Sequence, residues 1–244
     1  MKILAICSSP RKGNTYSALK VIEDYPNIDY KILMLKDLDF KMCMGCYTCV
    51  LKGEQKCPLK DDRDMIVNEM LNADGIIFAS PVYVNHTNAL MKNFMERLGY
   101  EAHRPRFVDK FGMVMSTCGM FGAKESNEFM DGIFNSFGFN ICDSLELQIG
   151  ANREKDKNIN REKTIKAFDT FIARIKKGER PPPRMGQLVR FNIFKLLSAL
   201  FKEHYQADYQ YYKDKTDFPY DGKIGYFKKT LAKRIARNAL SDLR

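Results

Sequence analysis

No stretch of this 244-residue chain is apolar for long enough to span a bilayer. Only Met1 and Lys2 precede the first apolar run, so the charged region, apolar core and small-residue cleavage site of a secretory signal are missing, and a cytoplasmic location is expected. There is no internal repeat and no low-complexity tract. No recognised nucleic-acid module accompanies the basic charge, so nucleic acid is not an expected partner. The cysteines number seven, an odd count, which argues against a disulfide framework and toward thiolate chemistry or plain burial.

What remains is an ordinary globular composition, 45% apolar with a mean hydropathy of −0.39. The length suits one α/β domain plus something extra. The net charge of +10 is uneven, because residues 178–244 carry 14 Lys/Arg against 7 Asp/Glu. The basic character therefore belongs mostly to the C-terminal part.

Met1 to Cys7 reads as a buried strand that stops at Ser8-Ser9-Pro10 and passes through a polar turn into a helix over 15–24. Strands are expected at Tyr30–Leu35, Gly75–Ala79, Phe111–Ser116 and Phe139–Leu147, with the third breaking at Ser80-Pro81-Val82-Tyr83. Helices are expected from an Asp61-Asp62 cap to about Asn72, and over 87–98, 124–137 and 162–176. This alternation predicts a doubly wound, five-stranded parallel sheet whose ligand site lies at the C-terminal ends of its strands. Loops 8–15, 80–86 and 117–123 would meet at that edge. The first of them has an anion binder's chemistry, although an ordinary strand-to-helix turn capped by Asn14 or Thr15 would look the same.

Between the second strand and the following helix lies Phe40–Lys60, which holds Cys43-x2-Cys46-x2-Cys49-x7-Cys57 and then Pro58. Three thiols at two-residue spacing can wrap three corners of an iron–sulfur cube, and the distant fourth can close it. Structural zinc prefers two separated pairs, and a metal-free loop of reduced cysteines packed against the site is the third alternative. Cys7 and Cys142 lie on strands and are not expected to be ligands. Cys118 reads as a small packing residue near the ligand edge.

These motifs, from Ser9-Pro10-Arg11-Lys12-Gly13-Asn14-Thr15 through the cysteine loop to Ala73–Tyr83 and Lys92–Arg97, resemble the flavodoxin-like NADPH-dependent FMN reductase family over residues 1–177. Within it they look most like the iron–sulfur flavoproteins. The resemblance implies FMN, with Ser9, Arg11, Asn14 and Thr15 at the phosphate and Pro81, Val82 and Tyr83 beside the ring. Thr117, Cys118, Gly119 and Gly122 would approach the ring from the other side, while Cys43, Cys46, Cys49 and Cys57 would hold a [4Fe–4S] cluster. The family's Asp-Arg is Glu96-Arg97 here, and Val84-Asn85-His86 replaces its small residues after Tyr.

Pro181-Pro182-Pro183 ends this domain and makes 178–183 a stiff linker. Residues 184–244 form a basic, helical extension. In 184–202 the residues Met185, Leu188, Val189, Ile193, Leu196, Leu197 and Leu200 share one helical face, which would pack on the core or on another subunit, or lie on an anionic membrane as a peripheral contact. The working expectation is a redox flavoprotein, in homo-oligomers of two or four chains, that passes electrons from a ferredoxin-like donor through the cluster and FMN to an acceptor. A cluster-free NAD(P)H-dependent FMN, quinone or nitro-compound reductase is the alternative. A non-enzymatic scaffold using its extension as the working surface is a third.

Overall fold

A computed structural model describes residues 1–150, 153–220 and 222–241. Five parallel strands form the sheet: β1 (Lys2–Cys7), β2 (Asp29–Met34), β3 (Gly75–Tyr83), β5 (Phe111–Cys118) and β6 (Asn140–Gln148), in the order β2-β1-β3-β5-β6. This is a doubly wound, flavodoxin-like α/β arrangement. The three central strands are almost wholly apolar because helices cover both of their faces. A sixth, two-residue strand, β4 (His86–Thr87), folds back antiparallel on the end of β3. It was not expected, and β3 itself does not break at Ser80: its ladder runs on, with Pro81 beside Thr117.

The crossovers place α1 (Asn14–Lys20) and α6 (Arg153–Lys177) on one face of the sheet. There Leu19, Ile22, Phe168, Phe171 and Ile172 pack on Ile3, Ala5 and Ile77. On the other face α3 (Arg63–Leu71), α4 (Ala89–Arg97) and α5 (Ala123–Ser136) bring Ile66, Met70, Phe94, Met130 and Phe134 onto Leu4, Ile6 and Phe78. The rings of Phe78 and Phe134 stack 3.5 Å apart. The cysteine loop is less irregular than expected, for it contains the short helix α2 (Thr48–Leu51) and a 3₁₀ turn at Glu54–Lys56.

Helices α7 (Met185–Leu200), α8 (Gln206–Tyr212) and α9 (Tyr226–Ala239) make up the C-terminal extension. Leu188, Phe191, Tyr212, Phe218 and Ala232 form its own small core, which rests on Val108 of the main body. The buried line on α7 differs from the expected apolar face. Ser198 is only 1% exposed while Leu200 is 46% exposed, because α7 is wedged between its neighbours rather than laid flat on one surface. Asp221-Gly222, a pair whose sequence predicts a turn, lies partly outside the described residues. Among those described, no helix is long and apolar enough to cross a membrane.

Candidate functional site

Beyond β1, the Ser8 N–H prolongs the ladder by donating to the Ala79 carbonyl at 2.9 Å. The chain then wraps around the Arg11 carbonyl, which accepts from Ser9 Oγ at 2.7 Å and from the Gly13 N–H at 2.8 Å. This leaves the Arg11 and Asn14 side chains exposed at the sheet edge. Neither Asn14 nor Thr15 caps α1, as the sequence had suggested; Gly13 holds that position with no side-chain bond. Thr15 turns inward instead, and its hydroxyl lies 2.6 Å from that of Thr117 at the end of β5.

The second loop is a two-residue hairpin. Val84 (φ 51°) and Asn85 (φ 60°) both occupy left-handed backbone, as the tightest hairpin turn requires. Asn tolerates this region, whereas a β-branched residue there is strained. Asn88 binds the hairpin to the first loop: Nδ2 donates to the Ser8 carbonyl at 2.7 Å, and Oδ1 accepts from the Met91 N–H at 3.1 Å to cap α4. The Thr87 hydroxyl and the Asn88 N–H both donate to Ser80 Oγ. Asn88 was not singled out from sequence, although Asn immediately before an apolar helical run is a cap signal.

The third loop closes against the hairpin at Gly122. Its φ of 92° suits glycine, and a Cβ there would stand 2.7 Å from the Asn85 backbone. The three loops therefore meet, as the strand order demands. Tyr83, Val84, Met120 and Phe121 stand exposed around them, Val84 to 98%. Solvated apolar side chains beside uncommitted polar ones suit a ligand with a flat aromatic part and an anionic tail, and FMN has both. Two cavities of about 490 and 320 Å³ lie elsewhere, along β6 and the 179–187 segment.

Beside α4 lies the cysteine loop. Cys43, Cys46, Cys49 and Cys57 all line one small cavity of about 30 Å³, together with Glu96 and Arg97. The donor chemistry fits an iron–sulfur cluster, although among the described residues no three ligating side chains are drawn together closely enough to hold a metal ion. Several contacts hold the loop. Arg97 donates to the Asp61 carboxylate at 2.8 Å and to the Lys41 carbonyl, and Asn93 Oδ1 accepts from the Cys43 N–H at 3.0 Å. Asp61 and Arg97 side chains are each 1% exposed. Asp61 accepts from the N–H groups of Lys41 and Arg63, and Asp62 from that of Asp39. The expected Asp-Asp helix cap is thus the clasp of the loop, and Asp62 makes no side-chain cap bond to α3.

Residues 1–152 match the NADPH-dependent FMN reductase family. The chain belongs to that family. Among its relatives, an iron–sulfur flavoprotein of Methanocaldococcus jannaschii is 41% identical over 102 residues, 40% of this chain and 51% of the relative. The chain thus spans about half the length of that relative. An iron–sulfur flavoprotein of Clostridioides difficile is 25% identical over 220 residues, 87% of this chain and 95% of its own. The solved structure of RosB with a bound 8-demethyl-8-formylriboflavin-5'-phosphate superposes with a TM-score of 0.57 at 12% identity, covering 93% of this chain and 92% of that one, which shows a shared fold.

For a member of the FMN reductase family, the thiols are unequal. The Cys46 thiol is exposed and held below the usual thiol range by its hydrogen bonds with Thr48. Cys49 is pushed up by burial and by the neighbouring Cys57, with Arg63 pulling the other way. Burial pushes Cys7 up to about 11 and Cys142 up to about 12, and also raises Cys118. Beneath the loop, Arg63, Arg104 and Arg106 surround the Tyr100 ring, each guanidinium within 6 Å of its centroid. Sequence inspection had passed over Arg104 and Arg106, since nothing local marks a buried arginine.

Proposed function

We propose that the chain is an FMN-dependent oxidoreductase that passes electrons between an external donor and an acceptor, with FMN at the C-terminal sheet edge and a [4Fe–4S] cluster in the cysteine loop. The observation that carries the reading is the convergence of Cys43, Cys46, Cys49 and Cys57 on one cavity, held by α4, whose cap residue Asn88 also bonds the first loop of the flavin edge. When bound, FMN supplies exchange between two-electron and one-electron chemistry, and the cluster supplies one-electron conduction.

The protein's own residues divide the work. Arg11 and Asn14 would hold the phosphate, Ser9 and Thr15 would shape its loop, and the backbone of 117–122 would approach the ring. Pro81, Val82 and Tyr83 form the apolar wall that keeps water from it. The four thiols would ligate iron, and Arg63 would oppose their accumulated negative charge. The net charge of +10 favours encounter with an acidic, ferredoxin-like donor. The exposed Val84, Met120 and Phe121 are the surface that a second copy of the chain covers in a homo-oligomer. Iron, sulfide and FMN analysis of anaerobically purified protein tests the reading. FMN with about four irons per chain is expected, and FMN without iron or sulfide removes the cluster.

A second reading is a cluster-free NAD(P)H-dependent reductase. It is favoured by the family's nicotinamide-dependent chemistry. Rapid bleaching of bound flavin by NADPH, at the same rate in Cys46→Ala, would support it.

A further inference from the structure

Helix α8 of the extension lies against α2 of the cysteine loop, and a dry ion pair stands beside that contact. Asp208, on α8, is 1% exposed and splits its carboxylate between two residues of the main body. Oδ1 accepts from Arg104 Nη1, and Oδ2 lies 2.8 Å from His103 Nδ1. Arg104 does not stop at that pair. Nη1 also donates to the Val50 carbonyl at 2.9 Å, and Nη2 donates to the Cys49 carbonyl at 2.7 Å and to Glu54 Oε2 at 3.1 Å. One guanidinium therefore joins a carboxylate of the extension to the backbone of a candidate iron ligand.

From the extension side the same segment is gripped three more times. The Tyr212 hydroxyl donates to the His103 carbonyl, and the Tyr211 hydroxyl to the Pro105 carbonyl at 2.8 Å. Phe194 of α7 stacks on the His103 ring with centroids 3.8 Å apart. These contacts leave the 103–105 backbone little freedom, so the direction of the Arg104 fork is fixed by where Asp208 stands.

We infer that the C-terminal extension is the positioning arm of the cysteine loop, acting through Asp208 and Arg104 to set where Cys49 stands. Asp208 touches no thiol and is a positioning residue. Its carboxylate is the buried partner that keeps the guanidinium aimed, and without it Arg104 is left with the partly exposed Glu54 as its remaining carboxylate partner. Arg104 would then turn toward water or toward Glu54, and in turning it releases the carbonyls of Cys49 and Val50. The four-residue α2 is too short to hold itself in place without them. The proposal deepens the reading of the cysteine loop as a ligand set, and its first readout does not depend on iron.

The test uses the full chain and the Asp208→Asn variant, which keeps shape and loses charge. Metal-free protein is alkylated at fixed pH under native conditions, and each cysteine is followed by peptide mass spectrometry. Cys49 is expected to react about tenfold faster in the variant, the factor by which loss of a charge-assisted hydrogen bond shifts an opening equilibrium. Cys7, buried in β1, should not change. An unchanged Cys49 rate overturns the proposal. So does a parallel rise at Cys7, which would mean general loosening. If Asp208→Asn does not fold, Arg104→Lys retains the charge beside Asp208 but lacks the fork that reaches Cys49, and the same two readings apply. After anaerobic reconstitution with iron and sulfide, the variant should bind less iron per FMN than the wild type. Wild-type protein that binds no iron would defeat the cluster and leave the alkylation result to decide the positioning role.

Discussion

The hydroxyls of Thr15 and Thr117, 102 residues apart in the chain, stand 2.6 Å from each other at the C-terminal edge of the sheet. They tie the first turn of α1 to the end of β5, two elements that border the proposed FMN site. Replacing one of them with Val leaves the other buried and unpaired, at about 1–3 kcal/mol, while the double replacement restores an apolar match and should be nearly neutral. Urea unfolding of Thr15→Val, Thr117→Val and the double variant checks this. Additive losses would show that the two hydroxyls do not act as a pair.

Gly122 makes the contact between the second and third loops. In Gly122→Ala a methyl group would meet the Asn85 backbone, and the φ of 92° would cost about a further 1–2 kcal/mol. The loops must separate. FMN affinity is expected to weaken by about tenfold or more, the factor equivalent to 1.4 kcal/mol, while far-ultraviolet circular dichroism stays that of the parent. Flavin fluorescence titration reads the change.

Asp61 holds both ends of the cysteine loop through Arg97, Lys41 and Arg63. In Asp61→Asn the Arg97 guanidinium loses its carboxylate in a dry site, a change of about 3–5 kcal/mol for a broken buried pair. Denaturant unfolding should show a loss of that order, with faster alkylation of Cys43. A loss below about 1 kcal/mol, the range of exposed pairs, would mean that water reaches the clasp.

Much of the fold was legible because it depends on local pattern. Gly75-Ile76-Ile77-Phe78-Ala79 can scarcely be anything but a central strand, and the glycine-rich turn after β5 announces itself. The hairpin after Tyr83 was hidden, since Val84 contradicts the residue chemistry such a turn prefers. The clasp and the Arg104 fork were hidden for another reason. Asp61 and Arg97 are 36 residues apart and Arg104 and Asp208 are 104 apart, so each pair exists only once the fold has formed. Charged residues in isolation read as surface, and on α7 the expected apolar face packs through Met185, Leu188 and Val189 but not through Leu200.

Glu101 supplies a prediction in pH. It is buried among Arg106, Arg104, Glu54 and Tyr100, and burial pushes its carboxyl up to about 7 despite its hydrogen bonds from Arg106. Between the ordinary carboxyl value of 4.5 and about 7 the folded chain holds a proton that the unfolded chain has lost. Stability from this group is therefore complete at low pH and declines as pH rises through that window. Glu101→Gln removes the titration. Unfolding free energies at several pH values across the window should fall for the wild type relative to the variant, and parallel curves would refute the assignment.

The fork between Asp208 and Cys49 also has a consequence for the timing of synthesis. The four thiols leave the ribosome early, while the carboxylate that helps to hold their loop is made on the order of ten seconds or more later at ordinary translation rates. In that interval α2 lacks its support, and the thiols meet the cell's oxidants and metal carriers as a loose strip of chain. If the loop takes iron as proposed, iron delivered after release would meet a loop already braced by the extension, whereas iron delivered earlier would meet an unbraced one.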